Sequence, residues 1–243
     1  MADLKGRVAV VTGASTGIGR GIAAEMAKAG ATVVIAARSA DKLAELATEI
    51  SAAGGTAIEV PTDVTHEAQI LALFETCIDK AGIPDFLINN AGIADATWLH
   101  ELTAERWHQV IDTNLTSAVL CSREAILAMR KRGTGGRIIN IGSLSAKSPR
   151  HHSLAYTASK FAIDGLTRQI CLDYRDDLIS ASAIHPGATK SMLAPGSTDQ
   201  MESDCLYPEQ LGELVVYLCG LPMDVTMLDT VILPLRKPYF GRG

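Results

Sequence analysis

Short apolar runs recur along this chain, and most are followed by a longer stretch with helical periodicity. The runs are RVAVVT at 7–12, TVVIAA at 32–37, TAIEV at 56–60, DFLIN at 85–89, RIINI at 137–141 and ISASAI at 179–184, with 230–233 as a seventh. Most do not alternate polar and apolar residues, which is the pattern of strands covered on both faces. Residues 17–29, 41–53, 67–81, 103–132, 153–174 and 208–219 read as helices, three of them stopped by glycine at Gly30, Gly54-Gly55 and Gly82. Right-handed crossovers between such strands predict an α/β chain: a doubly wound, mostly parallel, seven-stranded sheet with helices on both faces. No linker, composition shift or repeat divides the 243 residues, so one domain is expected. Residues 186–207, rich in Pro, Gly, Ser and Met, carry no pattern and read as a lid. Residues 235–243 read as a C-terminal tail.

Charge and cysteine usage narrow the partners. Twenty-two Lys and Arg against 27 Asp and Glu give a net charge of −5, which suits no polyanion, so no nucleic-acid partner is expected. The local cluster Arg130-Lys131-Arg132 reads as a solvated helix end. The charged N-terminus leads into an apolar stretch too short to span a bilayer, so no membrane partner is expected either. Five widely spaced cysteines without a CxxC pair fit reduced thiols and a cytoplasmic protein. No Cys/His cluster suggests a metal.

The first run ends in Thr12-Gly13-Ala14-Ser15-Thr16-Gly17-Ile18-Gly19 and a helix follows. Glycines at a strand-to-helix junction let the backbone turn tightly and approach a pyrophosphate. The helix N-terminus offers free N–H groups to the anion. The end of the second run selects the nucleotide. An acid there would hold a ribose 2′-hydroxyl, but this chain has Ala36-Ala37-Arg38-Ser39. Arg38 can pair with a 2′-phosphate and Ser39 can add a hydrogen bond, so NADP(H) is the expected cofactor.

Tyr156 and Lys160 are four residues apart in a helical segment and share a face. Ser143 follows the fifth run, at the carboxyl edge where ligands bind in open α/β sheets. A free tyrosine has a pKa near ~10, and lowering it by ~3 units takes about 4 kcal/mol of preferential stabilisation of the anion. A neighbouring Lys160 ammonium can supply much of that.

With these residues in view, the chain resembles the single-domain, NADP-preferring branch of the short-chain dehydrogenase/reductase family. TGASTGIG, Asp63-Val64, Asn89-Asn90-Ala91-Gly92, Asn114, Ser143, Tyr156-Thr157-Ala158-Ser159-Lys160 and HPGATKS from His185 occur in family order over roughly residues 5–220. The resemblance implies a Rossmann-type fold and a role for each position. Tyr156 would donate the proton in carbonyl reduction, Ser143 would orient the substrate oxygen, and Lys160 would bind the nicotinamide ribose and favour tyrosinate. Asn114 would hold a water in a proton relay. Gly13, Ser15, Thr16, Gly17, Ile18 and Gly19 would cradle the phosphates. Asp63 and Val64 would frame the adenine, with Asn90, Ala91 and Gly92 beside the ribose. Pro186, Gly187, Thr189 and Ser191 would meet the nicotinamide.

The expected activity is hydride transfer between NADPH and a small or medium ketone, aldehyde or oxo acid or ester, with secondary alcohol oxidation in reverse. One alternative is a 3-oxoacyl-thioester reductase of lipid synthesis, with Arg123, Arg130, Lys131 and Arg132 as a carrier-protein patch. Another is a non-catalytic NADP(H) sensor. His151 and His152 lie near the expected pocket, and Met192, Leu193, Met201 and Leu206 are candidates for an apolar substrate wall. The resemblance also implies a homo-oligomer, dimer or tetramer, formed through helices 103–132 and 153–174.

Overall fold

The computed structural model describes residues 2–190 and 205–236. Seven parallel strands form one sheet in the order β3-β2-β1-β4-β5-β6-β7. They are β1 (Val8–Thr12), β2 (Thr32–Ala37), β3 (Thr56–Pro61), β4 (Phe86–Asn89), β5 (Gly136–Ile141), β6 (Ile179–Pro186) and β7 (Asp229–Ile232). The helices are α1 (Gly17–Lys28), α2 (Ala40–Ala52), α3 (Glu67–Lys80), α4 (Ala104–Ile111), α5 (Ser117–Arg132), α6 (Leu154–Asp173) and α7 (Pro208–Cys219). The chain winds outward from β1 to β3, then crosses back to β4. The reversal leaves a crevice at the carboxyl ends of β1 and β4.

Each face of the sheet has its own core. On one, Ala9 and Val11 of β1 pack with Ile22 of α1, Leu43 and Leu46 of α2, and Leu211 and Val215 of α7. On the other, Val8 and Val10 pack with Ile70 and Leu73 of α3, Cys121 and Ala125 of α5, and Ile170 of α6. In β1 and β2, strand residues of one parity therefore feed one core and those of the other parity feed the second, so these runs carry no polar face. Helices α1 and α7 cross closely at glycine. A Cβ on Gly212 would sit 2.8 Å from Cβ of Glu25 and from the Gly21 carbonyl. Overpacking of this kind costs about 1–3 kcal/mol.

The structure corrects the sequence reading in three places. The stretch 103–132 is two helices, α4 and α5, separated by a π-helical turn at Asp112–Thr116. Such turns insert one residue and re-aim a side chain, here that of the buried Asn114. Pro186, placed at the start of the lid, instead completes β6 and pairs with Ile232 of β7. Leu206 belongs to the α1/α7 core rather than to a substrate wall. The proposed lid is tied at both ends: Lys190 N–H donates to the Leu206 carbonyl and Leu206 N–H to the Ala188 carbonyl. Ser191, Met192, Leu193 and Met201 lie outside the described residues, as does the tail from 237.

Candidate active site

A cavity of about 470 Å³ opens over the crevice. Gly13, Ser15, Thr16, Gly17 and Ile18 line it from the first turn, Arg38 and Ser39 from the end of β2, Asp63 and Val64 after β3, and Asn90, Ala91 and Gly92 after β4. Lys42, Thr62, Thr65, Ile93 and Thr113, which the sequence motifs do not single out, also line it. Lys42 stands in the first turn of α2, so a second cation joins Arg38 at this end. Gly19 does not line the cavity. A Cβ there would collide with the Asn90 amide and the Gly13 carbonyl, so this glycine lets α1 lie against the turn.

Asn90 builds that turn. Its Nδ2 donates to the carbonyls of Thr12 and Gly13 at 3.0 and 3.1 Å, while Thr12 Oγ1 accepts from the N–H groups of Asn90 and Ala91. Gly13 and Gly17 adopt φ of +64° and +54°, a region side chains avoid. A glycine cradle held open by Asn90, with two cations at one end, fits a dinucleotide phosphate ester. Burial raises the Asp63 carboxyl, but Thr65 hydrogen bonds, the Arg38 guanidinium and His66 outweigh it, so its pKa stands below the ordinary value. Asn89, beside these residues, faces away from the cavity. Its Nδ2 donates to Asn140 Oδ1 and Ser122 Oγ at 2.8 and 3.0 Å, a buried polar tie between β4, β5 and α5. Arg20, the residue after the turn, is paired with Glu49.

At the other end, Lys160 is buried and donates to the Ile141 carbonyl at 2.8 Å, two residues before Ser143. Its Nζ lies 5.6 Å from the Tyr156 ring centroid. Burial lowers the Lys160 pKa to about 8. Asn114 bridges two elements. Its Oδ1 accepts from Ile93 N–H at 2.8 Å, and its Nδ2 donates to the Ile93 carbonyl and to Ser159 Oγ at 3.0 and 3.2 Å. Ser159 in turn donates to the Tyr156 carbonyl at 2.7 Å. The buried Ser143 sits in extended backbone, and its Oγ accepts from Ser145 N–H at 3.1 Å. The π-helical turn, the end of β5 and helix α6 therefore meet around Asn114, Ser143, Tyr156 and Lys160. Pro186 and Gly187 follow on the adjacent strand, with Gly187 N–H bonded to the Ile232 carbonyl. Thr189 Oγ1 donates to the Gly187 carbonyl.

The loop after β4 forms the rim. Arg106 donates to Asp95 Oδ1 at 3.0 Å and to the Ala94 carbonyl at 2.6 Å, and Ser153 Oγ donates to the Asp95 carbonyl at 2.9 Å. This brings Trp98 onto His152, with ring centroids 3.6 Å apart. His152 itself has φ of +53°.

The sequence pattern described as short chain dehydrogenase matches residues 7–202. This chain belongs to the short-chain dehydrogenase/reductase family. The dehydrogenase/reductase is 36% identical over 198 residues to a 3beta-hydroxysteroid dehydrogenase of Mediterraneibacter gnavus, covering 81% of this chain and 71% of that one. It is 35% identical to dehydrogenase/reductase SDR family member 11 of Gallus gallus, covering 96% and 97% of the two chains. A short-chain type dehydrogenase/reductase from Mycobacterium marinum superposes with a TM-score of 0.89 at 32% identity, over 96% of each chain. A metagenomic short-chain oxidoreductase in complex with NADP gives 0.85 at 33%, over 97% of this chain and 100% of that one. The 3-ketoacyl-(acyl-carrier-protein) reductase of Brucella melitensis, complexed with NADH, gives 0.87 at 29%, over 96% and 99%. The Rossmann-type fold and the oxidoreductase family of this dehydrogenase/reductase are thereby shown. Among its described residues, no helix is long and apolar enough to cross a membrane.

Proposed function

We propose that this dehydrogenase/reductase is an NADPH-dependent carbonyl reductase whose proton donor is Tyr156. The observation that carries the reading is the buried Lys160 ammonium, held on the Ile141 carbonyl beside the Tyr156 ring and two residues from Ser143. A cation in such a place lowers the energy of a neighbouring phenolate. Ser143 donates to the substrate oxygen and fixes it near the phenol, and Tyr156 delivers its proton as negative charge develops there. Lys160 binds the nicotinamide ribose, and Asn114 holds the chain of groups that returns a proton from solvent. When bound, the nicotinamide supplies the hydride.

Arg38, Ser39 and Lys42 would hold the 2′-phosphate, with Ala37 in place of a repelling acid. Gly13, Ser15, Thr16, Gly17 and Ile18 would hold the pyrophosphate, Asp63 and Val64 the adenine, and Ala91 and Gly92 the ribose. Pro186, Gly187, Thr189 and Ser191 would meet the nicotinamide. Family neighbours carry NADP in one case and NADH in another, so the preference rests on these side chains.

Reduction of a carrier-bound 3-oxoacyl thioester is less well supported. Of the basic residues that would dock a carrier, Arg123 is paired with Glu67 and Glu124, Arg130 with Asp177 and Arg132 with Asp85. A nucleotide sensor would gain nothing from burying Lys160 at the cost of its desolvation. An apolar stripe on α6, formed by the half-exposed Leu154, Phe161 and Leu172, and Leu127 on α5 support association into a homo-oligomer through these helices. Initial rates of NADPH and NADH oxidation across ketones, aldehydes and 3-oxo esters test the proposal. Turnover of free carbonyls with NADPH preferred is expected, and cofactor binding without turnover of any of them would overturn it.

A further inference from the structure

Behind Ser143 lies a cluster of charged groups that no step above uses. His185, the last residue before Pro186 and fully buried, directs its ring under the end of β5. Its Nδ1 lies 3.3 Å from the Ser143 amide nitrogen and 3.0 Å from the Ser143 carbonyl oxygen. The fit is tight, since a Cβ on Gly142 would sit 2.5 Å from that Nδ1. On the far side, His185 Nε2 lies 2.9 Å from Asp164 Oδ1 and 3.3 Å from Asp229 Oδ1. Lys147 closes the cluster, with Nζ 2.6 Å from Asp164 and 2.5 Å from Asp229. Arg168 approaches Asp229 at 3.5 Å. The Lys147 ammonium takes the outer oxygens, Asp164 Oδ2 and Asp229 Oδ2, and leaves the Oδ1 atoms to the imidazole.

The connectivity gives the cluster a purpose. Tyr156, Lys160 and Asp164 are spaced by four residues on α6, so one helix face carries the phenol, the ammonium and the carboxylate that meets His185. Lys147 is four residues beyond Ser143 on the same loop. The network thus links the loop bearing Ser143, the helix bearing Tyr156, and strands β6 and β7. With the ring proton on Nε2, toward the two carboxylates, Nδ1 presents its lone pair to the Ser143 N–H. Burial, with the Lys147 charge, lowers the His185 pKa against the opposing pull of Asp164, the Ser143 backbone contact and Asp229, which favours the neutral ring. A second proton, on Nδ1, would exchange the Ser143 N–H for the Ser143 carbonyl as partner.

We propose that His185 is a positioning residue for Ser143: its Nδ1 holds the Ser143 peptide while Asp164, Asp229 and Lys147 hold the ring, setting the serine hydroxyl against helix α6. This rests on the assignment of Ser143 as the group that orients the substrate oxygen.

The test is a double-mutant cycle of His185→Phe with Ser143→Ala, read as kcat, carbonyl KM and NADPH Kd. His185→Phe is expected to lower kcat by about 10- to 100-fold with the NADPH Kd unchanged, as misplacement of a reacting group does. In the Ser143→Ala background the same change should cost less than about twofold, because its effect passes through the serine. Two further variants separate the two edges of the ring. His185→Asn keeps an acceptor near the Ser143 N–H and should recover most of kcat. His185→Gln reaches the carboxylates instead and should not, and this pair decides the matter if the Phe variant fails to fold. Independent, additive losses, or recovery by Gln and not by Asn, would overturn the inference. So would full kcat in His185→Phe when Ser143→Ala is strongly impaired. If Ser143→Ala itself turns over normally, the assignment of Ser143 has failed instead, and with it the premise.

Discussion

The two ends of the cleft are built on opposite principles. At the end proposed for the adenosine the groups that would choose the cofactor are backbone and surface: glycines in left-handed conformations, an exposed Arg38 and a half-buried Lys42. At the end proposed for the nicotinamide the polar groups are buried and tied to carbonyls or to each other. Lys160 lies on Ile141, Asn114 on Ile93 and Ser159, and Ser143 on Ser145 and His185. Solvent screens charges at the first end, so each is worth little alone and is easily exchanged. Burial amplifies charge at the second end, so one ammonium can shift the acidity of a neighbouring phenol. On the proposed reading, cofactor choice rests on replaceable contacts and proton transfer on contacts that do not tolerate replacement.

Substitutions at the two ends should separate accordingly. The largest effect is expected from Tyr156→Phe, which should lower carbonyl turnover by about 100-fold or more while NADPH still binds, since it removes the acid and little else. Turnover within a few-fold of the parent would remove Tyr156 from the proposed role. Next comes Arg38→Asp, where a carboxylate meets the 2′-phosphate. The NADPH/NADH ratio of kcat/KM should fall by about 10- to 100-fold with maximal turnover retained. An unchanged ratio would show that the anchor lies elsewhere. The smallest is Lys42→Ala, expected to weaken NADPH by about two- to fivefold and NADH not at all, as for a partly screened pair. Equal weakening of both cofactors would mean that Lys42 packs rather than pairs.

The sequence was legible where the signal is local. Unalternating apolar runs announced a parallel sheet, and the glycines after β1 marked the turn. The carboxyl-edge position of Ser143 follows from the topology, whereas Asn90 is reached only through the family motif. The helix 103–132 was misjudged because its break has no local signature. The π-helical turn is secured by Asn114 reaching Ile93, 21 residues earlier in the chain. Lys42 belongs to no motif, and its one signal in the sequence is a cation four residues after Arg38. The His185 cluster draws on four separate elements, so periodicity could not reveal it. The one hint was Asp164, four residues beyond Lys160 on the face already assigned to chemistry. Asn89 and Asn90 look alike in sequence but divide their work, one in the core and the other in the turn.

The claim that burial drives the chemistry is tested most directly by the pH dependence of kcat for carbonyl reduction, in the wild type beside Lys160→Met. Lys160 is cationic below its pKa of about 8 and loses that charge as the pH rises through it. The Tyr156–Lys160 pair should then give up its shared proton, and reduction should decline over that range. Without the ammonium the phenol returns toward its ordinary value near ~10, so the alkaline limb of the slower variant should move upward. A limb at the same pH in both proteins would contradict the account.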